Sequence, residues 1–166
     1  MFISIFSITV LISITLFLIF AQVPLEQQIE DSNARFYKPF ESLSIEKMEE
    51  VWKHSDDVIC IHPGWEMFTS WTAIRESWVR IFENTNKIEF FITNVKVKAF
   101  EKIAIVVCLE NIDSDMENKN IVRTGVTATN IFEKQNVNNN KYNNKWLMVH
   151  HHGSSVANYM PPNVFV

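Results

Sequence analysis

The spacing of apolar residues changes along the chain, and each change marks a different kind of element. Residues 1–21 are almost continuously apolar, with only Ser and Thr as relief and no charged side chain before Glu26. From Gln22 to Phe40 the spacing becomes helical, with Ile29, Phe36 and Phe40 on one face and Glu26, Glu30 and Asp31 outside it. Pro39 is expected to kink or end this helix. Ser44 then reads as the N-cap of a short helix whose stripe is Ile45, Met48 and Trp52. Asp56 and Asp57 mark a turn, and Val58–Ile61 a short buried strand that stops at His62-Pro63-Gly64. Ser70 or Thr69 can cap the next helix, whose stripe of Trp71, Ile74, Trp78, Ile81 and Phe82 has Arg75, Glu76, Arg80 and Glu83 on the opposite side.

After Asn84-Thr85-Asn86 the pattern turns β-branched and extended. Strands are predicted over Ile88–Ala99, Ile103–Ile112 and Ile121–Glu133, with a polar loop over Asp113–Asn120. The Asn- and Lys-rich run Asn136–Asn144 has no core-forming power and is expected as a turn. A last strand, Trp146–Ser155, follows it. Strict alternation puts Trp146, Met148, His150, His152 and Ser154 on one face, and Leu147, Val149 and His151 on the other. Helices gathered ahead of strands joined by turns indicate an α+β fold and not βαβ units. The expected architecture is a cone-shaped α+β barrel, its N-terminal helices packed on a curved, mostly antiparallel sheet.

The length of 166 residues suggests one domain beyond the apolar leader. We expect a signal peptide or membrane anchor over residues 1–21, the domain over 26–157 and a tail over 158–166. Such a leader indicates the secretory route, with the protein membrane-anchored or secreted; a plastid-type bipartite signal is the alternative. A net charge of −4, with scattered Lys and Arg, argues against a nucleic-acid surface. On this reading the membrane is met only through residues 1–21. Five Trp and 13 Phe either fill the core or line an apolar pocket. Cys60 and Cys108 lie in apolar, strand-like runs, as two buried thiols or, in a secreted domain, a disulfide.

Four stretches, taken together and in order, resemble the SnoaL-like branch of the nuclear transport factor two-like (ketosteroid isomerase-like) superfamily. They are Met48-Glu49-Glu50-Val51-Trp52, Val58-Ile59-Cys60-Ile61-His62-Pro63-Gly64, and Ala73-Ile74-Arg75-Glu76-Ser77-Trp78 leading to Ile81-Phe82. The last is Ala128-Thr129-Asn130-Ile131-Phe132, followed by Trp146, Val149 and His151-His152-Gly153-Ser154. The resemblance runs from about Phe36 to Ser155. It implies a cone with a pocket between sheet and helices, and a homodimer formed through the outer sheet face. It also implies a superfamily that mixes isomerases, hydratases and polyketide cyclases with domains that only bind, so the fold does not fix the function.

An isomerase, cyclase or lyase of this kind needs a carboxylate or imidazole base and a donor for a developing oxyanion. The candidate bases are His152, Glu110 and His62. Glu110 follows Ala104, Val106 and Cys108 on one strand face; buried there, its pKa rises, whereas in water it is an ordinary strand end. Candidate donors are Asn130, Ser154, Tyr37 and the Trp ring N–H groups. A binding pocket for a small apolar molecule draws on Trp52, Trp65 and Trp78, oriented by His62, Asn130, His151, His152 and Ser154. His151 and His152 equally suit a structural role in the last strand. His150 and His152 share a face, but no carboxylate stands at a ligand spacing, so neither a metal nor another cofactor is expected. Three functions follow: a small-molecule binding domain, an isomerase- or lyase-like enzyme, or a dimeric protein-interaction module.

Overall fold

A computed structural model of the protein describes residues 23–116, 121–135 and 145–162. The apolar leader over 1–21, the Asn-rich turn over 136–144 and part of the expected 113–120 loop lie outside the described residues. Among those described, no helix is long and apolar enough to cross a membrane.

The architecture is α+β. Two helices precede the first strand: α1 (Leu25–Glu41) and α2 (Ile45–Glu49). Strands β1 (Ile59–Ile61) and β2 (Met67–Thr69) then lead into α3 (Trp71–Glu83). Four strands complete the chain: β3 (Thr85–Ala99), β4 (Ile103–Met116), β5 (Ile121–Lys134) and β6 (Trp146–Ser155). They form one curved six-stranded sheet in the order β2-β1-β6-β5-β4-β3. Every neighbouring pair is antiparallel except β1 and β6, which run parallel.

Helix α1 lies in the concavity of the sheet because its apolar residues share a face. Ile29 and Phe36 are fully buried, and Tyr37 nearly so. The helix continues through Pro39 and ends two residues later at Glu41. Proline lacks the amide that would bond the Arg35 carbonyl one turn back, and its ring crowds that carbonyl, so the helix stops soon after it. Leu43 takes a left-handed φ of 49° and reverses the chain, and Ser44 caps α2 by accepting from the Lys47 amide at 3.3 Å. Ser70 does the same for α3, accepting from Ala73 N at 3.4 Å. The stripe on α3 buries Ile74, Trp78 and Phe82. Each large apolar side chain so buried contributes about 1.5–3 kcal/mol.

The sheet departs from the sequence-based expectation in three places. Strand β2 has no counterpart in the apolar pattern; Pro63 and Gly64, the latter at φ 80°, turn the chain so that Met67–Thr69 pairs back on β1. Strand β4 runs to Met116, into what reads as a polar loop. Its ladder with β5 places Asp113 opposite Arg123, and the guanidinium Nε lies 3.1 Å from the carboxylate. A cross-strand ion pair thus lets polar residues continue a strand.

The third departure concerns β6. Its pairing with β5 shifts between Ile131↔His150 and Phe132↔Met148, so Val149 is an extra residue on β6. This β-bulge reverses the alternation. Trp146 and Met148 face the core before it, and His151 and Gly153 after it. His150 and His152 therefore point to the outer face, not to the face of Trp146 and Met148 as strict alternation requires. Beyond β6 the chain folds over that outer face. Val156 N donates to Gly125 O at 2.8 Å, and the Tyr159 ring lies where a side chain at Gly125 would stand. The Tyr159 hydroxyl donates to Asn111 Oδ1 at 2.7 Å.

Candidate functional site

Inside the cone, the regular elements carry a set of polar side chains into an otherwise aromatic and aliphatic core. Positions 33 and 37 lie one turn apart on α1, which brings Asn33 and Tyr37 to the same inward-facing edge. Alternation along β4 turns Ala104, Val106, Cys108 and Glu110 inward, and along β5 it turns Val126, Ala128, Asn130 and Phe132 inward. The bulge in β6 adds His151. Strand β1 brings Cys60 and, just past its end, His62. Helix α3 contributes Ser77 from within its apolar stripe.

These groups form a chain of hydrogen bonds. His151 Nδ1 lies 2.7 Å from Asn130 Oδ1. Asn130 Nδ2 donates to Asn33 Oδ1 at 2.8 Å and to the Tyr37 hydroxyl at 3.3 Å. Tyr37 donates to Glu110 Oε1 at 2.9 Å and lies 3.3 Å from Cys108 Sγ. Because the Asn130 amide nitrogen is committed as a donor, its oxygen accepts, and His151 carries its proton on Nδ1. The donors thus run in one direction and end on the Glu110 carboxylate. A second, shorter arrangement lies beside this one. Ser77 Oγ donates to Ile74 O at 2.7 Å, so it accepts from His62 Nε2 at 2.8 Å. The Cys60 thiol lies 3.7 Å from the same ring. The two imidazoles face each other with ring centroids 6.4 Å apart, and the Trp78 ring stands 4.5 Å edge-on to His62.

Burial sets the charge state of each group. It pushes the Glu110 carboxyl up to about 7, opposed only by the Tyr37 hydrogen bond. Burial, then the Arg80 charge, brings His62 down to about 4. Burial, followed by the neighbouring His62, His150 and His152, holds His151 well below the usual imidazole range. The Tyr37 hydroxyl is raised by burial and then by Glu110, and burial pushes the Cys108 thiol up to about 11. Near neutrality the imidazoles and thiols are uncharged, and Glu110 alone is divided between two protonation states.

Tyr37 and Asn33 also line a cleft that opens beside α1, together with Glu30, Ala34, Ile92 and Val95; its volume is about 230 Å³. The polar chain therefore meets the cleft at Asn33 and Tyr37, one hydrogen bond from Glu110. The separate His62–Ser77 pair is covered by Trp78, Phe68 and the half-exposed Trp65.

The structure gathers Glu110, Asn130, His151 and His62 into one interior, next to Trp78. It places the other sequence-derived candidates elsewhere. Trp52 is packed in the core, with its indole N–H buried and unpartnered. Trp65 is 42% exposed at the edge of the sheet, under the Arg80 guanidinium. His152 and Ser154 are exposed on the outer face, so His152 does not share an interior with Glu110 or His62. The bulge at Val149 is the physical reason. Among the described residues, no group of three or more His, Cys, Asp or Glu is arranged to hold a metal ion. Cys60 and Cys108 are buried free thiols. Asn33 and Ser77 are not among the sequence-derived site candidates. The signals that mark them are the spacing of Asn33 to Tyr37 on α1 and a serine inside the α3 stripe.

Comparison with known proteins agrees with this architecture. The family model for the SnoaL-like domain matches residues 29–159. A solved structure of a proposed dehydratase from the NTF2-like family of Streptomyces avermitilis is 30% identical with a TM-score of 0.71. It covers 80% of this chain and 96% of its own. A proposed calcium/calmodulin-dependent protein kinase type II association domain from Thiobacillus denitrificans is 23% identical with a TM-score of 0.65. That likeness covers 77% of this chain and 94% of the other, and shows the fold. The F-box protein SKIP8 of Arabidopsis thaliana is 26% identical over 122 residues, 74% of this chain, and the chain spans only 47% of that relative's length. The chain belongs to the SnoaL-like domain family.

Proposed function

We propose that this SnoaL-like domain binds a small, mainly apolar molecule bearing one carbonyl or hydroxyl oxygen, in the cleft over Asn33 and Tyr37. The observation that carries the reading is Glu110. It is a carboxyl 3% exposed, answered by one tyrosine hydroxyl that itself lines an apolar cleft. A buried carboxyl costs stability unless it is neutral or fully hydrogen-bonded. An aliphatic residue there would serve packing alone better. The pairing of an apolar wall with a few convergent polar groups is the usual form of a small-molecule site.

A second reading, an isomerase- or lyase-like activity, is supported by the Glu110 pKa of about 7. A group that both holds and releases a proton near neutrality suits general acid–base work, and the Tyr37 hydroxyl suits a developing oxyanion. The test is common to both. The full chain is screened by thermal shift against small hydrophobic carbonyl compounds, beside Glu110→Gln and Tyr37→Phe. A compound that binds the folded state raises the melting temperature by mass action. We expect at least one to do so in the wild type and to lose most of its effect in both variants. Turnover of that compound, read by mass spectrometry and abolished in Glu110→Gln, would add the enzymatic reading. No shift with any compound, or equal shifts in the variants, would sink the proposal.

Pairing of two copies through the outer sheet face belongs to the same reading. Phe91 and Val107 leave that face 40% and 37% exposed at apolar side chains. Sedimentation equilibrium should show a dimer that Val107→Asp dissociates; a wild-type monomer would remove this part.

A further inference from the structure

The bulge at Val149 that turns His151 inward also turns His150 and His152 outward. The two stand two positions apart on β6, one half-buried and the other exposed, with ring centroids 6.4 Å apart and ring planes at 83°. From this placement we infer that the two imidazoles form a chelating clamp for a borderline-soft divalent metal ion, zinc or copper(II), with water in the remaining coordination positions.

Distance is the first argument. Zinc binds an imidazole nitrogen at about 2.0–2.1 Å, so two imidazoles on one tetrahedral ion have ring centres about 5 Å apart. The observed 6.4 Å is roughly 1 Å more. A small change of side-chain torsion closes that gap, and an exposed ring such as His152 turns readily. The backbone beneath is fixed. Strand β6 is hydrogen-bonded on both sides, with Ile59 and Ile61 of β1 and Ile131 and Thr129 of β5 opposite the two histidines. A pair mounted on a central strand keeps its spacing better than one on a loop.

The second argument is what the rings are committed to. Among the described residues, neither imidazole makes a hydrogen bond or an ion pair. This sets them apart from His151, bonded to Asn130, from His62, bonded to Ser77, and from His54, whose Nε2 lies 2.8 Å from Glu49 O. The four flanking side chains are three isoleucines and a threonine, so none competes for the ion. The Asp57 and Glu133 carboxylates, two positions from Ile59 and Ile131, hold the Lys53 ammonium at 3.3 and 2.9 Å. The clamp therefore rests on nitrogen alone.

Ligand type selects the ion. Imidazole suits zinc, copper and nickel, whereas magnesium and calcium take oxygen ligands. Two protein ligands make an open site, consistent with the absence of any group of three or more metal-binding side chains among the described residues. His150 and His152 lie on the opposite face of the sheet from Glu110 and Tyr37, so the inference stands apart from the function proposed above.

The test is isothermal titration of the full chain near neutral pH, in a buffer that does not chelate metals, with zinc, copper(II) and magnesium chlorides. We expect saturable binding of one zinc per chain, copper(II) at least tenfold tighter, and no magnesium binding. His150→Ala and His152→Ala should each weaken zinc at least tenfold. His54→Ala, which removes another exposed imidazole, should leave the affinity unchanged. In electron paramagnetic resonance, the copper(II) form should show coupling to two imidazole nitrogens, reduced to one in either clamp variant. A general loss of stability does not imitate that change. Both rings lie outside the core, so both variants should keep the wild-type circular dichroism spectrum. Absence of saturable zinc and copper binding, unchanged affinity in both clamp variants, or an equal loss in His54→Ala would overturn the inference.

Discussion

The two ends of the buried polar system are built from the same materials and differ in what lies next to them. At one end Glu110 meets Tyr37, and Tyr37 lines an open apolar cleft. At the other, His62 meets Ser77 beneath Trp78 and Phe68, where the ring is shut in by aromatic neighbours. Desolvation acts on both and pushes an acid and a base in opposite directions, so that each tends to be neutral. The lesson is that burial alone does not mark a functional group. A shifted group beside an opening is available to a ligand; one sealed among rings holds elements together.

If the contrast is right, His62→Ala has the largest effect on stability and none on ligand affinity. It removes a buried ring and leaves the Ser77 hydroxyl without its donor, so we expect a loss of about 3–5 kcal/mol in denaturant unfolding. Unchanged stability would make the sealed end as dispensable as a surface site. Asn130→Ala breaks the chain in the middle. With His151 Nδ1–H and Asn33 Oδ1 both left unpaired, a cost of about 3 kcal/mol is expected, together with weakened ligand binding. That result would show the chain reaching from β6 to the cleft, whereas an effect under 1 kcal/mol would show two independent halves.

The pH dependence separates the ends by sign. Glu110 has a folded pKa raised from 4.5 to about 7, so the stability it contributes is present at low pH and is lost as pH rises through that window. The loss is on the order of 3 kcal/mol by linkage and should vanish in Glu110→Gln. His62 has a folded pKa lowered from 6.5 to about 4. The unfolded chain therefore takes up its proton first, and stability falls as pH drops from 6.5 to 4. Urea melts of both proteins across pH 4 to 8 test this, and identical profiles would refute the assignment. Tyr37→Phe should cost about 1 kcal/mol. It should also move Glu110 higher still, because the Tyr37 hydrogen bond is what lowers that pKa; carboxyl carbon NMR titration reads the shift. The smallest effect belongs to His152→Ala. An exposed side chain on the outer face changes stability by under about 0.5 kcal/mol, and a large loss would place His152 in the interior after all.

Much of the fold was legible because its signals are local. The stripe from Trp71 to Phe82, the caps at Ser44 and Ser70 and the extent of Trp146–Ser155 each depend on residues within a few positions of one another. The α+β class follows from their order. Part of the interior is also legible: Glu110, Asn130, His151 and His62 stand out in the sequence as polar residues in apolar, strand-like runs, and all four are buried. Strand β2 is not legible, since three residues around Phe68 carry no period of their own and become a strand only by pairing with β1.

What tertiary structure alone decided is which histidine enters the core and which carboxylate is buried. Alternation along β6 sets His150 and His152 on the face of Trp146 and Met148 and His151 on the other, whereas the bulge at Val149, which arises from registration against β5, puts Trp146, Met148 and His151 on the same inner face. Glu110 is a strand residue like others until Tyr37, 73 positions earlier in the chain, closes over it. Helical and strand periods are properties of neighbouring residues, so the sequence by itself determined the elements. Desolvation and register are properties of surfaces brought together from afar, so only the folded molecule determined the site.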